Sequence, residues 1–256
     1  MLTTGYLFFM NRSAKPEFLT SSVSKDNREY TNTGNKPLTV KLEDGSLVTL
    51  QPQAVLKCPA HFSESLREVS LEGEGFFEIS KNPLKPFLVY NKNVITRVVG
   101  TSFIVKTSQS NNETEVIVKT GKVVVSPNTG SFNIKDLLKS DKGVVLTPNQ
   151  KTVYNATENT FATSLVDQPE PIELKSNKAT VKENYLFNDT PVANVLNQLQ
   201  RSYGIEFVVN DEQLYNYTFT GDLSEQNLYS QLDFLCESIK ATYKVKGTRI
   251  IISSKE

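Results

Sequence analysis

From Pro37 onward, apolar and polar residues alternate in short runs broken by turn-forming residues. Leu38, Val40 and Leu42 alternate with polar neighbours, Asp44-Gly45 marks a turn, and Leu47-Val48-Thr49-Leu50 resumes the run. Period two is the strand repeat, and Asp-Gly between two such runs signals a hairpin. The same texture continues through Val69–Ile79, Phe87–Tyr90, Val94–Val99, Ser102–Val105, Glu115–Val118, Lys122–Val125 and Val144–Leu146, the last followed by the turn Thr147-Pro148-Asn149-Gln150. Short strands at close, regular spacing predict a mainly β N-terminal domain, its antiparallel strands arranged as a sandwich, roll or solenoid. Only Lys135-Asp136-Leu137-Leu138-Lys139 suggests a helical turn.

The flanking segments read differently. Residues 11–35 are polar, turn-rich and without sustained apolar periodicity, so 1–35 reads as a leader that crosses the surface. The β pattern occupies 36–165. Asp167-Gln168-Pro169-Glu170-Pro171 opens an extended linker over 166–180. A second domain, 181–256, then shows helical periodicity. Thr190 is the expected N-cap and Pro191 the first helical residue. Val192, Val195, Leu196, Leu199 and Tyr203 form the apolar stripe, and Gly204 ends the helix. Ser224 opens a second helix whose stripe is Leu228, Leu232, Leu235, Cys236 and Ile239. Tyr185-Leu186-Phe187, helix, Ile205–Val209 is matched by Tyr217-Thr218-Phe219, helix, Ala241–Val245, and Arg249–Ile252 closes a hairpin across Lys246-Gly247. This predicts a small α+β domain of two βαβ halves in one sheet, with both helices on one face.

Composition narrows the chemistry. The 256 residues carry 28 Lys and Arg against 28 Asp and Glu, with one His, two Cys and no Trp. Zero net charge removes the basic field that nucleic-acid binding relies on. A zinc site normally takes three or four His, Cys or carboxylate ligands, but His61 stands alone and Cys58 and Cys236 lie 178 positions apart with no C-x-x-C pairing. The two cysteines pair only if both ends of the chain pack together; otherwise they are buried thiols, which the apolar stripe around Cys236 favours. The apolar run Gly5–Met10 is far shorter than the roughly 20 residues of a membrane-spanning helix. It reads either as an exposed aromatic tail or as the trailing end of such a helix.

Candidate catalytic residues are few. Glu72, Glu74 and Glu78, spaced by even numbers, are expected on one strand face, where paired carboxyls can serve glycoside hydrolysis. The competing reading is a solvated acidic face over buried Leu71, Phe77 and Ile79, and nothing nearby in sequence converges on the acids. Gly73-x-Gly75 lacks the third glycine and the helix of a dinucleotide site. His61 has no nucleophile pattern around it. Tyr215 and Tyr217 form either an aromatic contact patch or ordinary strand side chains. The five N-x-S/T sequons, at Asn11, Asn112, Asn155, Asn188 and Asn216, carry little weight among 22 asparagines. No catalytic, metal or cofactor site is expected.

Several motifs in order carry a resemblance. Leu71-Glu72-Gly73-Glu74-Gly75-Phe76-Phe77-Glu78-Ile79, Pro86-Phe87-Leu88-Val89, Val99-Gly100-Thr101-Ser102-Phe103 and Gly121-Lys122-Val123-Val124-Val125 resemble the FecR domain. Tyr185–Ser253 resembles the C-terminal domain that accompanies it in FecR-like anti-sigma factors, itself similar to the short signalling domain of secretins and TonB-dependent transducers. The similarity spans about residues 35–255. It implies the periplasmic region of an inner-membrane regulator that has a cytoplasmic anti-sigma segment and one membrane helix. Its implied partners are the signalling domain of a TonB-dependent outer-membrane receptor and an extracytoplasmic-function sigma factor. This chain departs from that pattern in lacking the cytoplasmic segment and a whole membrane helix; Phe8-Phe9-Met10-Asn11-Arg12 suits the outer end of such a helix, so a membrane anchor is expected upstream. The Val-Gly-Thr-Ser-Phe motif needs no catalytic role: Gly100 permits a tight turn or a positive φ, while Val99 and Phe103 can enter a core. A carbohydrate-active or other envelope enzyme using the three glutamates, and a purely structural envelope protein, are the rival classes.

Overall fold

The computed structural model describes residues 27–108, 112–128, 143–172 and 185–255. Expectations about Asn11, the Gly5–Met10 run and the Lys135–Lys139 turn fall outside these residues. In chain order the first domain contains β1 (Asn27–Thr31), β2 (Leu38–Lys41), β3 (Leu47–Leu50), β4 (Val55–Pro59), β5 (Arg67–Glu72), β6 (Glu74–Glu78) and β7 (Phe87–Tyr90). It continues with β8 (Val94–Val98), β9 (Ser102–Thr107), β10 (Glu113–Thr120), β11 (Val123–Pro127), β12 (Val144–Leu146), β13 (Gln150–Asn155) and β14 (Thr160–Leu165).

The strands form two seven-stranded sheets, β1-β4-β5-β7-β8-β11-β12 and β14-β13-β10-β9-β6-β3-β2. Of the three β arrangements open from sequence, the sandwich is the one adopted. Alternation decides which side chains face inward. Leu56, Val69, Leu71, Phe87, Val89 and Val98 of the first sheet share one buried core with Val48, Leu50, Phe77, Phe103, Val105 and Val116 of the second. All pairings are antiparallel except β5 with β7, which run parallel. Phe77 and Phe103, opposite each other on β6 and β9, stack with centroids 5.1 Å apart.

One residue separates β5 from β6, yet they belong to different sheets. Gly73 makes this corner at φ +90°, and a Cβ there would sit 3.0 Å from the Ala54 Cα. Both the dihedral and the close approach require glycine. Gly100 is the second such point, because its Cβ would lie 2.5 Å from the Lys81 Cα. Phe103 enters the core as expected, but Val99 remains 37% exposed: it lies just past β8, where the chain has already left the sheet. The polar stretch expected to cross the surface contributes β1, which pairs with β4 at the margin of its sheet. A marginal strand needs partners on one side only, so its sequence shows no apolar alternation.

Arg67 braces the base of this domain. Its side chain is 1% exposed, and its Nη1 donates to Asp44 Oδ2 at 2.6 Å and to the Ser80 carbonyl at 2.9 Å. Its Nε donates to the Lys85 carbonyl at 2.9 Å, and its guanidinium carbon lies 5.3 Å from the Phe87 ring centroid. Asp44 also accepts from the Ser46 N–H and hydroxyl. The Asp-Gly turn between β2 and β3 is thereby tied to β5 and to the β6–β7 connection.

The second domain contains β15 (Leu186–Pro191), α1 (Val192–Tyr203), β16 (Glu206–Val209), a 3-10 turn (Glu212–Asn216), β17 (Thr218–Asp222), α2 (Leu228–Ser238), β18 (Ala241–Lys246) and β19 (Arg249–Ser254). The expected α+β class and internal repeat are present, but not the single sheet. The first strands of the two halves, β15 and β17, pair with each other, while the second strands, β16 and β18, flank β19 in a separate sheet. The closing hairpin explains the split: Gly247, at φ +61°, folds β19 back onto β18, and its other edge then takes β16 in parallel. The apolar stripes of both helices meet in one core that includes Phe187, Phe219, Ile250 and Ile252.

Helix starts differ slightly from expectation. Pro191 is the N-cap of α1, one place later than predicted, because the β15–β17 pairing continues through Pro191 and Thr218 and the helix begins only at Val192. The N-cap of α2 is Asn227, three places after Ser224, and its side chain accepts from the Ser230 N–H. Gly204 ends α1 in the left-handed conformation, as predicted.

Replacing Asp44 by Ala leaves the Arg67 charge buried without its carboxylate. The expected cost is about 3–5 kcal/mol of folding stability, measured by urea denaturation.

Candidate functional site

The three candidate glutamates do not come together. Glu74 and Glu78 do share the outer face of β6, but Glu72 belongs to β5, and the Gly73 corner places it on the other sheet, because the period-two rule does not carry across a corner. Glu72 accepts from Lys57 Nζ at 3.3 Å. Glu74 heads a row of opposite charges across the second sheet. It lies 3.9 Å from Lys106, which is 4.0 Å from Glu115, which in turn is 3.9 Å from Lys151. Lys151 ends the row 3.1 Å from Asp167. Glu78 is exposed at the end of β6. These are solvated surface pairs, each worth at most about 1 kcal/mol.

His61 is 85% exposed and its Nδ1 lies 2.9 Å from Glu43 Oε2. Cys58 and Cys236 are both buried free thiols, one in each domain core. Burial, and then the nearby Asp233 carboxylate, push the Cys236 thiol up to about 11. Among the described residues no group of three His, Cys, Asp or Glu is placed to hold a metal ion, and no helix is long and apolar enough to cross a membrane. At two sequons the polar groups are committed internally. Thr114, which completes the sequon of Asn112, is fully buried and donates to Asn91 Oδ1 at 3.2 Å, while Asn155 Oδ1 accepts from the Thr157 and Glu158 N–H groups. Tyr215 and Tyr217 stand 43% and 45% exposed at the 3-10 turn and its C-cap rather than within a strand.

The more distinctive surface lies along β18. Among the described residues this strand pairs with β19 on one side only. Beside its other margin, the sheet face that carries Lys244 and Ile251 bears a groove of about 730 Å3 that runs from Thr242–Lys246 across Ile251 and Ser253 to Asn210 at the end of β16. Among the described residues no carboxylate lines this groove; Lys244 and Lys246 make it basic, while Lys255 at its end pairs with Glu237 at 3.2 Å. At the opposite margin of the sheet, the Phe207 N–H of β16 is taken by the Gln200 side chain at 3.3 Å. Alternation places Tyr243 toward α2, where it stacks on Tyr229 with centroids 6.4 Å apart.

The turn that follows β18 touches the first domain. The Gly247 carbonyl accepts from the Leu165 N–H of β14 at 3.2 Å, and Leu165 itself is buried in the core of the second domain. Beside it, Asn149 joins three pieces of chain. It is buried, with φ +64°, and its Nδ2 donates to the Glu170 and Tyr203 carbonyls, both at 2.8 Å. Its Oδ1 accepts from the Glu170 N–H at 2.9 Å. The Tyr203 carbonyl closes the last turn of α1, where helix carbonyls take partners from outside the helix, and the adjoining Ser202 carbonyl is taken by the Ile172 N–H at 2.7 Å. From sequence Asn149 reads only as a Pro-Asn turn.

Two family descriptions match this architecture. "FecR protein" matches residues 29–124, which run from β1 into β11, and "FecR, C-terminal" matches residues 184–252, the second domain. The two matches follow the two domains in order and together span well over half of the chain. The chain belongs to the FecR family. Two crystal structures described as a "putative anti-sigma factor" from Parabacteroides distasonis ATCC 8503, at 1.65 and 2.50 Å resolution, are similar to it. In each case the identity is 26%, the TM-score 0.47, and the match covers 90% of this chain and 100% of the other. A search of curated proteins finds no match. In this FecR-family chain the first matched segment includes the Gly73 corner and the Arg67 brace, and the second includes β18 and most of the groove beside it.

Replacing Asn149 by Ala removes three hydrogen bonds and strains a left-handed backbone position. Limited proteolysis should then cut within 166–172, and calorimetry should resolve two transitions in place of one. The buried thiol gives a pH dependence. Burial raises Cys236 from the ordinary thiol value of 9.0 to about 11 in the folded chain, so its contribution to stability is complete below pH 9 and is lost as pH rises toward 11. Replacing Cys236 by Ala should flatten that part of the stability–pH curve measured by denaturant titration.

Proposed function

We propose that this chain is the receiving part of a FecR-type sigma-factor regulator, lying in the periplasm and tethered to the inner membrane by an upstream segment. Its second domain binds the signalling domain of a TonB-dependent outer-membrane receptor, and the bound state is relayed to an extracytoplasmic-function sigma factor. The observation that carries this reading is the unpaired margin of β18, placed next to the domain junction within the matched C-terminal segment. A strand with one free side has a row of backbone groups available to a partner strand. The lysines along the groove favour a partner strand with acidic side chains. Binding there presses on a hairpin whose turn already bonds to β14, which gives the first domain a direct mechanical connection to the bound receptor.

The groove serves recognition without catalysis, since its lining offers lysines and serines but no carboxylate or imidazole. The test is binding of the receptor's signalling domain, measured by calorimetry, to variants of the β18 margin. Val245→Pro should abolish binding by removing a backbone donor and bending the strand. Lys244→Glu with Lys246→Glu should weaken it at least tenfold at low salt, with the difference shrinking as salt rises. Unchanged affinity in both variants, with melting temperatures maintained, would overturn the assignment of this edge.

A further inference from the structure

A second cleft, of about 570 Å3, separates the 167–171 linker from the second domain. Tyr185, Tyr203 and Tyr229 line it, with Pro169 and Pro171 on the linker side and Gln231 of α2 on the other. Its hydrogen-bonding character is one-sided. Prolines have no N–H, and the N–H and carbonyl of the intervening Glu170 are both held by Asn149, so the linker wall between 169 and 171 has no free donor. Gln231 is 1% exposed; its Nε2 donates to the Leu223 carbonyl at 2.9 Å, which fixes the amide orientation, while its Oε1 has no partner among the described residues. A buried acceptor left unmatched costs about 1–3 kcal/mol, and a ligand that donates to it recovers that energy. Ser224, Gln226 and Asn227 on the outer rim reach water and do not supply the missing donor.

The charges agree with this polarity. Asp167 and Glu170 stand on the linker rim, and the Tyr229 phenol is pushed up first by burial and then by Asp167. Both carboxylates pair with lysines of the first domain, Lys151 and Lys119, so the rim is moderated rather than strongly acidic.

We infer that this cleft is a binding site for the guanidinium of an arginine side chain presented by a protein partner, with Gln231 Oε1 as acceptor and the tyrosines as apolar walls. A guanidinium is a planar multiple donor that stacks on aromatic faces, and an ammonium is not. The site is distinct from the β18 groove and does not depend on the receptor reading.

The probe is N-acetyl-arginine methylamide, titrated into the full chain and followed by NMR of the Gln231 side-chain amide and the Tyr229 ring. Saturable shifts at both, absent with the norleucine analogue and weaker with the lysine analogue, are expected. Gln231→Met preserves volume and should weaken binding about tenfold, the loss expected for one hydrogen bond to a charged group. Val245→Pro should bind the probe normally, which separates this site from the groove. No saturable shift with the arginine probe would overturn the inference. So would equal binding of the norleucine or lysine analogue, or equal binding by a Gln231→Met variant with an unchanged melting temperature.

Discussion

The amide of Asn149 directs two donors and one acceptor across the junction between the domains, and all three are satisfied by backbone groups. Two belong to Glu170 in the linker, 21 residues later, and one to Tyr203 at the end of α1, 54 residues later. An asparagine can do this because it tolerates the left-handed backbone that turns its side chain toward the linker, and because its amide offers both polarities. Other features fall into place around this clasp. The linker runs close to α1, so Ile172 can bond to Ser202 and pack beneath Gly204, where any Cβ would collide with it. β14 ends against the Gly247 turn, and Leu165 enters the second core. Two domains with separate cores are thereby held at one junction by directional bonds as well as by apolar burial.

Within the first domain, the Arg67–Asp44 pair has the comparable role at shorter range. A buried ion pair is not efficient as a source of stability, because desolvation offsets most of the attraction. Its value lies in geometry. One guanidinium fixes the β2–β3 turn, the start of β5 and the β6–β7 connection relative to each other, which a cluster of aliphatic side chains would leave free to slide. The charge row from Glu74 to Asp167 is the opposite case: it crosses four strands and reaches the linker, yet exposure to water makes each step weak.

Much of the fold is legible in the sequence because the relevant signals are local. Alternation locates β3, β8 and β10; the apolar stripe locates α1; Gly204 marks its end. Failures occur where a distant contact decides. Gly73 sits inside what reads as one continuous strand, and only the approach of Ala54 reveals it as a corner, which is why three glutamates expected on one face are divided. β1 is polar because a marginal strand in water needs no apolar face. The pairing of β15 with β17, and the insertion of β19 between β16 and β18, depend on which strand the closing hairpin reaches first. The family is legible from ordered motifs, whereas the surfaces suited to partners are not. Asn149 and Gln231 are ordinary polar residues in the sequence, and their positions matter through contacts with groups elsewhere in the chain.

The separate burial of the two cysteines has a consequence for how the chain matures. Each thiol is enclosed by a different core, so the native state offers neither an oxidant nor the other cysteine a point of attack. A covalent error between them is therefore possible only before the cores close. In an oxidising compartment the yield of correctly formed protein becomes a race between core closure and thiol oxidation, and whichever core closes first removes one of the two reactants from that race.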